Sequence, residues 1–210
     1  MKSTPRAASA PERETSPRTR WAAVAVSEVF APALLAIALG LAVAWHAAGD
    51  LSHGLGWGAL MVLFTGVIPY AFVLLGVRRG KWANHHIPDR AQRPAALLFG
   101  VVSVLVGLGV LVALGAPREL VALAVAMLVG LSIALAVTFV WKISIHVAVA
   151  FGAVVILALV FGPWLYVTAT VAVAVAWSRL VLRAHTAAQV IGGALVGAFV
   201  AGAVFIVLTR

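Results

Sequence analysis

Long apolar runs separated by short polar interruptions set the pattern of this chain. Seven apolar stretches cover residues 21–45, 57–77, 95–115, 119–141, 147–162, 163–181 and 186–208. A helix of ~20 residues crosses the ~30 Å hydrocarbon layer of a bilayer. Four stretches reach that length with no charge or one at an end, and the first reaches it with Glu28 inside. The pattern predicts an all-α, polytopic transmembrane helical bundle of about six to seven spans. The fifth and sixth stretches form a special case. Only 31 residues separate His146 from Ser178, and Gly162-Pro163 breaks them in two. Two helices of ~15 residues reach only ~23 Å each. The ends that carry His146 and Ser178 are therefore expected below the headgroup plane, as a recessed polar site.

Residues 1–20 are a different material, rich in Ser, Thr, Pro, Arg and Glu without apolar periodicity. They read as a disordered basic tail, and residues 21–210 as one transmembrane domain. A cleaved signal peptide is not expected, because the following apolar run is too long and lacks a processing site. Seven crossings place the tail and the polar segments 78–94, 141–146 and 178–185 on one face. Every Lys and Arg except Arg118 and Arg210 then lies on that face. The positive-inside rule would make it cytoplasmic.

Composition agrees with the pattern. The chain has 210 residues, 64% hydrophobic and 10% charged, and its mean hydropathy is +1.12. A soluble domain carries about 25% charge. The net charge of +9 clusters at span ends, where topology and anionic headgroups favour it, so no nucleic-acid partner is implied. With no cysteine, disulfide and thiolate chemistry are excluded.

The three polar segments bring Arg90, Arg93, Lys142, Ser144, His146, Arg179, Arg183 and His185 to one face. Guanidinium forks match phosphate oxygens in shape and charge. Two histidines add groups that move protons near neutral pH or attack phosphorus. No carboxylate cluster suits a metal, so the set suggests phosphoryl transfer without metal or other cofactor. His85 and His86 with Asp89 offer three metal donors, but no further ligand is evident and interfacial histidines are the plainer reading. On a continued helix, Ser178, His185 and Gln189 share a face, and Gln189 would orient the imidazole. Glu28 is an acid within a span, a functional candidate by default, although a helix end could return it to polar surroundings. Gly193, Gly197 and Ala201 recur every four residues, a packing stripe. His46 and His53 flank the opposite-face loop and read as headgroup contacts. Trp21, Trp45, Trp57 and Trp141 read as interface anchors.

Ser178-Arg179-x5-His185-x3-Gln189 resembles the third signature of the type 2 phosphatidic acid phosphatase (PAP2) superfamily, which ends in Asp rather than Gln. Ile143-Ser144-Ile145-His146 resembles the second, Pro-Ser-Gly-His, and keeps Ser and His. His86 through Arg93-Pro94 resembles the first, Lys-x6-Arg-Pro, with His86 in place of Lys. The order and spacing match across residues 78–208. The resemblance, to a divergent bacterial-type member, implies a PAP2-like core in a bacterial cell membrane and hydrolysis of a lipid phosphate or diphosphate. It implies that His185 attacks phosphorus to give a phosphohistidine and that His146 protonates the leaving oxygen. It also implies that Arg93, Ser144 and Arg179 hold the phosphate, at a site that usually faces outward. Charge and placement add Arg90 and Lys142 to the phosphate set. The missing Lys, Pro, Gly and Asp leave a second reading open, a degenerate relative that binds or transports an anionic lipid without chemistry.

Overall fold

The computed structural model describes residues 16–87 and 89–210. Most of the expected tail lies outside the described residues. Its last residues are helical instead, because Ser16 Oγ accepts the Thr19 N–H at 3.2 Å and Pro17 takes the first helical turn. Proline suits that position, where its missing N–H would have no partner anyway.

Eight helices and no strand make up the described residues: α1 (Pro17–Val29), α2 (Pro32–Ala48), α3 (Leu51–Arg78), α4 (Arg90–Ala113), α5 (Arg118–Val140), α6 (Ile145–Phe161), α7 (Pro163–Val181) and α8 (Ala187–Thr209). Five of them, α3, α4, α5, α7 and α8, are long and apolar enough to cross a bilayer, and α1 with α2 would make a sixth span. The first apolar run is thus two helices rather than one. Pro32 has no N–H for the ladder and its ring crowds the carbonyl four residues back, so the chain bends by 44° between Val29 and Pro32.

The second run starts earlier than its apolar pattern suggests. Asp50 caps the His53 N–H at 3.0 Å and starts α3 at Leu51. His46 lies in the last turn of α2, and Trp57 lies in α3, partly buried against the core. Within α3, residues Leu63–Val67 widen to a π-helical turn. Pro69 sits just beyond it, and such a turn absorbs a residue that cannot donate.

The short hairpin also differs from expectation. Pro163–Thr168 form a 3-10 segment before the α-helical part of α7. At ~2 Å per residue this lengthens the sixth stretch. Only α6, at 17 residues, stays short, about 26 Å at 1.5 Å per residue. It lies inside the bundle, packed on α8, α2 and α7. The recess is therefore internal.

Lipid tails are as apolar as Leu, so close packing rather than water exclusion holds such helices together. Gly193 and Gly197 make the seam between α6 and α8. A methyl at Gly193 would lie 2.6 Å from the Ser144 carbonyl oxygen, and one at Gly197 would run into the Ala148 carbonyl. Beneath the site Val147, Val154, Val175 and Val190 form one buried cluster, and a larger one around Leu120, Leu123, Met61 and Ile156 fills the other half.

Candidate functional site

Three connections meet at one end of the bundle, and each is pinned by its own sequence. The connection after α3 is held by Trp82, which occupies the space a side chain at Gly76 would need. It ends at buried Ile87, whose φ of 42° is an outlier for a β-branched residue. Arg93 Nε donates to the Ile87 carbonyl at 2.9 Å and holds that conformation. The turn aims His85 and His86 inward. Their Nε2 atoms meet Glu28 at 3.2 and 2.8 Å.

The connection from α5 to α6 carries Lys142 and Ser144, and His146 follows in the first turn of α6. The Ser144 N–H donates to the Gln189 carbonyl at 3.2 Å, and Lys142 Nζ donates to the Ala184 carbonyl at 2.8 Å. Both bonds tie this connection to the one between α7 and α8. There the helix stops at Val181, and Arg183 closes it in the left-handed region with φ 51°. The Ala184 N–H returns to the Arg179 carbonyl at 3.1 Å. His185 is therefore not on the α7 face with Ser178, contrary to the continued-helix expectation. Ser178 Oγ is buried and donates to the Val175 carbonyl at 2.7 Å.

Gln189 still meets His185, but through a helix cap. Thr186 starts α8 in a capping box. Gln189 Oε1 accepts the Thr186 N–H at 3.3 Å and lies 3.2 Å from His185 Nδ1. An oxygen that already takes a backbone N–H requires a donor at Nδ1 as well. The lone pair of the neutral ring is then on Nε2.

His85, His86, Arg93, His146, Arg179 and His185 line one end of a cavity of about 350 Å³. Apart from Thr65 and Tyr70 the rest of the wall is apolar or glycine, reaching Leu123 and Ile156. Ten residues of α6 separate His146 from Ile156, a depth of roughly 15 Å. The volume is within the range of small-molecule sites. The His86 and His146 rings lie edge to face, 5.2 Å between centroids. Arg179 donates from one terminal nitrogen to Ser27 Oγ at 2.6 Å. Among the described residues, Arg179 Nε, His146 Nε2 and Ser144 Oγ are buried without a hydrogen-bond partner. Buried polar atoms are seldom left so.

The electrostatics are one-sided. Burial, then the charges of Lys142, Arg93 and Arg179, push the His185 imidazole down to about 3. It is neutral across the physiological range. Burial also lowers His86, with Glu28 pulling the other way. Lys142 is lowered by burial and by Arg93 and Arg179.

Of the expected phosphate ligands, Arg93 and Arg179 line the cavity and Arg90, Lys142 and Ser144 do not. Arg90 is exposed, and its guanidinium donates to the Thr138 and Phe139 carbonyls at 3.3 and 3.1 Å, at the end of α5. It does not line the cavity. Asp89 accepts the Ala91 N–H at 3.0 Å and takes no part in the histidine cluster. Ser27 and the Glu28–His86 contact escape the sequence reading. Their partners are more than 50 residues away, and α1 looks like any apolar run. The sole signal is an acid and a hydroxyl side by side inside it. No protein-family model, curated protein or solved structure matches the chain.

Proposed function

We propose that the chain is an integral membrane phosphatase with a PAP2-like core, which hydrolyses a lipid phosphate or diphosphate through a phosphohistidine at His185. One observation supports it above all. Arg179 and His146, each with a buried nitrogen that has no hydrogen-bond partner among the described residues, line the polar end of an apolar cavity together with a neutral His185. The headgroup would meet Arg93 and Arg179, and the hydrocarbon would lie along the glycine-rich wall. His185 Nε2 attacks phosphorus, the P–O bond to the lipid breaks, and His146 delivers a proton to the departing oxygen. Water then cleaves the P–N bond and releases phosphate. Arg93 and Arg179 meet the charge that builds on the phosphoryl oxygens, the role for which fixed cations outside water are effective.

The test is phosphate release from a panel of lipid phosphates in vesicles, with wild type and His185→Ala in parallel, plus acid-quench trapping of phosphohistidine. Wild type should turn over and form the adduct, and the variant should do neither. Turnover by His185→Ala equal to wild type would overturn the mechanism.

One observation favours the second reading. The Nδ1 partner of His185 is the amide Gln189 and not a carboxylate, so an imidazolium or phosphorylated ring gains less from it. On that reading the chain binds or transports an anionic lipid. Tight lipid-phosphate binding with neither turnover nor adduct would establish it.

A further inference from the structure

We propose that Glu28, His85 and His86 form a divalent-cation site of the zinc class on the wall of the cavity. The site goes beyond the phosphatase reading and stands whether or not His185 is phosphorylated. Two imidazoles and one carboxylate are a donor set that holds zinc with a coordination position left open for water or substrate. The three donor atoms come from α1 and from the connection after α3, and all lie within 4.8 Å of one another. In a tetrahedral site with bonds of ~2.0–2.1 Å, ligand atoms are about 3.3 Å apart. Glu28 gives one carboxylate oxygen to each ring, Oε2 to His85 Nε2 at 3.2 Å and Oε1 to His86 Nε2 at 2.8 Å, so whichever oxygen ligates already sits near that figure from one imidazole. Any remaining pair must close by at most about 1.5 Å, within reach of small ring rotations.

Local structure holds the donors ready. The Asn84 carboxamide accepts the His86 N–H at 3.0 Å. Tyr70 meets the His85 ring edge-on at 6.3 Å. Ile87, next to His86, holds a left-handed backbone with φ 42°, and such an outlier persists only where its surroundings enforce it. Arg93 and Arg179 oppose a dication nearby, and Glu28 offsets part of that charge. The side chains of His85, His86 and Glu28 are 31%, 23% and 46% exposed, so the ion would keep water on its open side. Because His85 and His86 also line the cavity, that open side adjoins the anion-binding groups.

The experiment is a Co²⁺ titration of the tag-free full chain in detergent, read by visible d–d absorption, with bound metal counted by elemental analysis. Wild type should take up one Co²⁺ per chain, and Zn²⁺ should displace it. Glu28→Gln, which keeps size and hydrogen bonding, should weaken uptake roughly 100-fold or more, the upper end of what even a ligand's supporting residue costs. His86→Ala should do the same. His53→Ala, which removes the separate His53–Asp50 pair, should not. Circular dichroism checks that each variant is folded, and Glu28→Gln decides if His86→Ala is not. No uptake by wild type, or uptake unchanged in Glu28→Gln and His86→Ala, would overturn the site. Neither result touches the phosphohistidine, so failure here and failure of the phosphatase reading remain distinguishable.

Discussion

If the substrate's chain lies in the cavity, filling the cavity should cost long chains and spare short ones. Gly130 of α5 is the place to test this. It lines the cavity, and a methyl built on it meets only Val200, at 4.0 Å. The first carbon of a leucine there therefore meets no backbone, and the cavity beside it can receive the rest of the side chain. Leucine also raises helix propensity, by somewhat less than the roughly 0.8–1 kcal/mol that separates alanine from glycine, so the fold should not suffer. Gly130 is ten residues from the end of α5 at Val140, about 15 Å from the polar mouth. A long hydrocarbon tail reaches that depth, and a butyl ester does not. Leucine adds four carbons and should displace about four methylenes of the tail. At ~0.8 kcal/mol for each buried methylene this is ~3 kcal/mol, or roughly a 100-fold loss of kcat/KM for a long-chain lipid phosphate. The assay is phosphate release from a matched long-chain and butyl pair. Equal losses on both substrates, or none on the long one, would refute the idea that the tail occupies this cavity.

Other expectations follow from single contacts. Gly197→Ala should force α6 and α8 apart at the Ala148 carbonyl and lower stability by about 1–3 kcal/mol, seen as a lower melting temperature in detergent. Arg90→Ala should leave KM within about twofold of wild type, because its guanidinium serves the end of α5; a KM increase as large as that of Arg179→Ala would return Arg90 to the phosphate set. His185 is at about 3 in the folded chain against an ordinary 6.5, so between those values the unfolded chain holds a proton that the folded chain refuses. Stability should fall as pH drops from 6.5 toward 3, and melting curves over that range should flatten in His185→Gln.

The apolar runs made the helical class and most spans legible, because bilayer thickness sets a length that composition alone can satisfy. Breaks inside a run were harder to place. Pro32 splits the first run, while Pro69 is absorbed by a π-turn in α3; the local sequence does not separate these outcomes. At the site, Arg93, His146, Arg179 and His185 could be named because they interrupt hydrocarbon. Arg90 interrupts it equally and is a cap, since charge at a span end is ambiguous between chemistry and carbonyl capping. Glu28 was visible as an oddity, but its pairing with His86 depends on tertiary packing between α1 and a distant connection. Continuing α7 through Ser178 to His185 misjudged the route to a correct contact. The His185–Gln189 proximity arises from the first turn of α8.

That first turn ties reactivity to fraying. A single oxygen, Gln189 Oε1, takes both the Thr186 N–H and the ring of His185. When the helix end opens, the imidazole loses its fixed tautomer in the same event. Helix ends open at a smaller free energy than a packed core, and the seam of Gly193 and Gly197 lies below the fraying turn. If the chain is the phosphatase proposed above, heat should therefore silence it before the bundle unfolds. A reversible loss of phosphate release several degrees below the global melt would be the signature of that local opening.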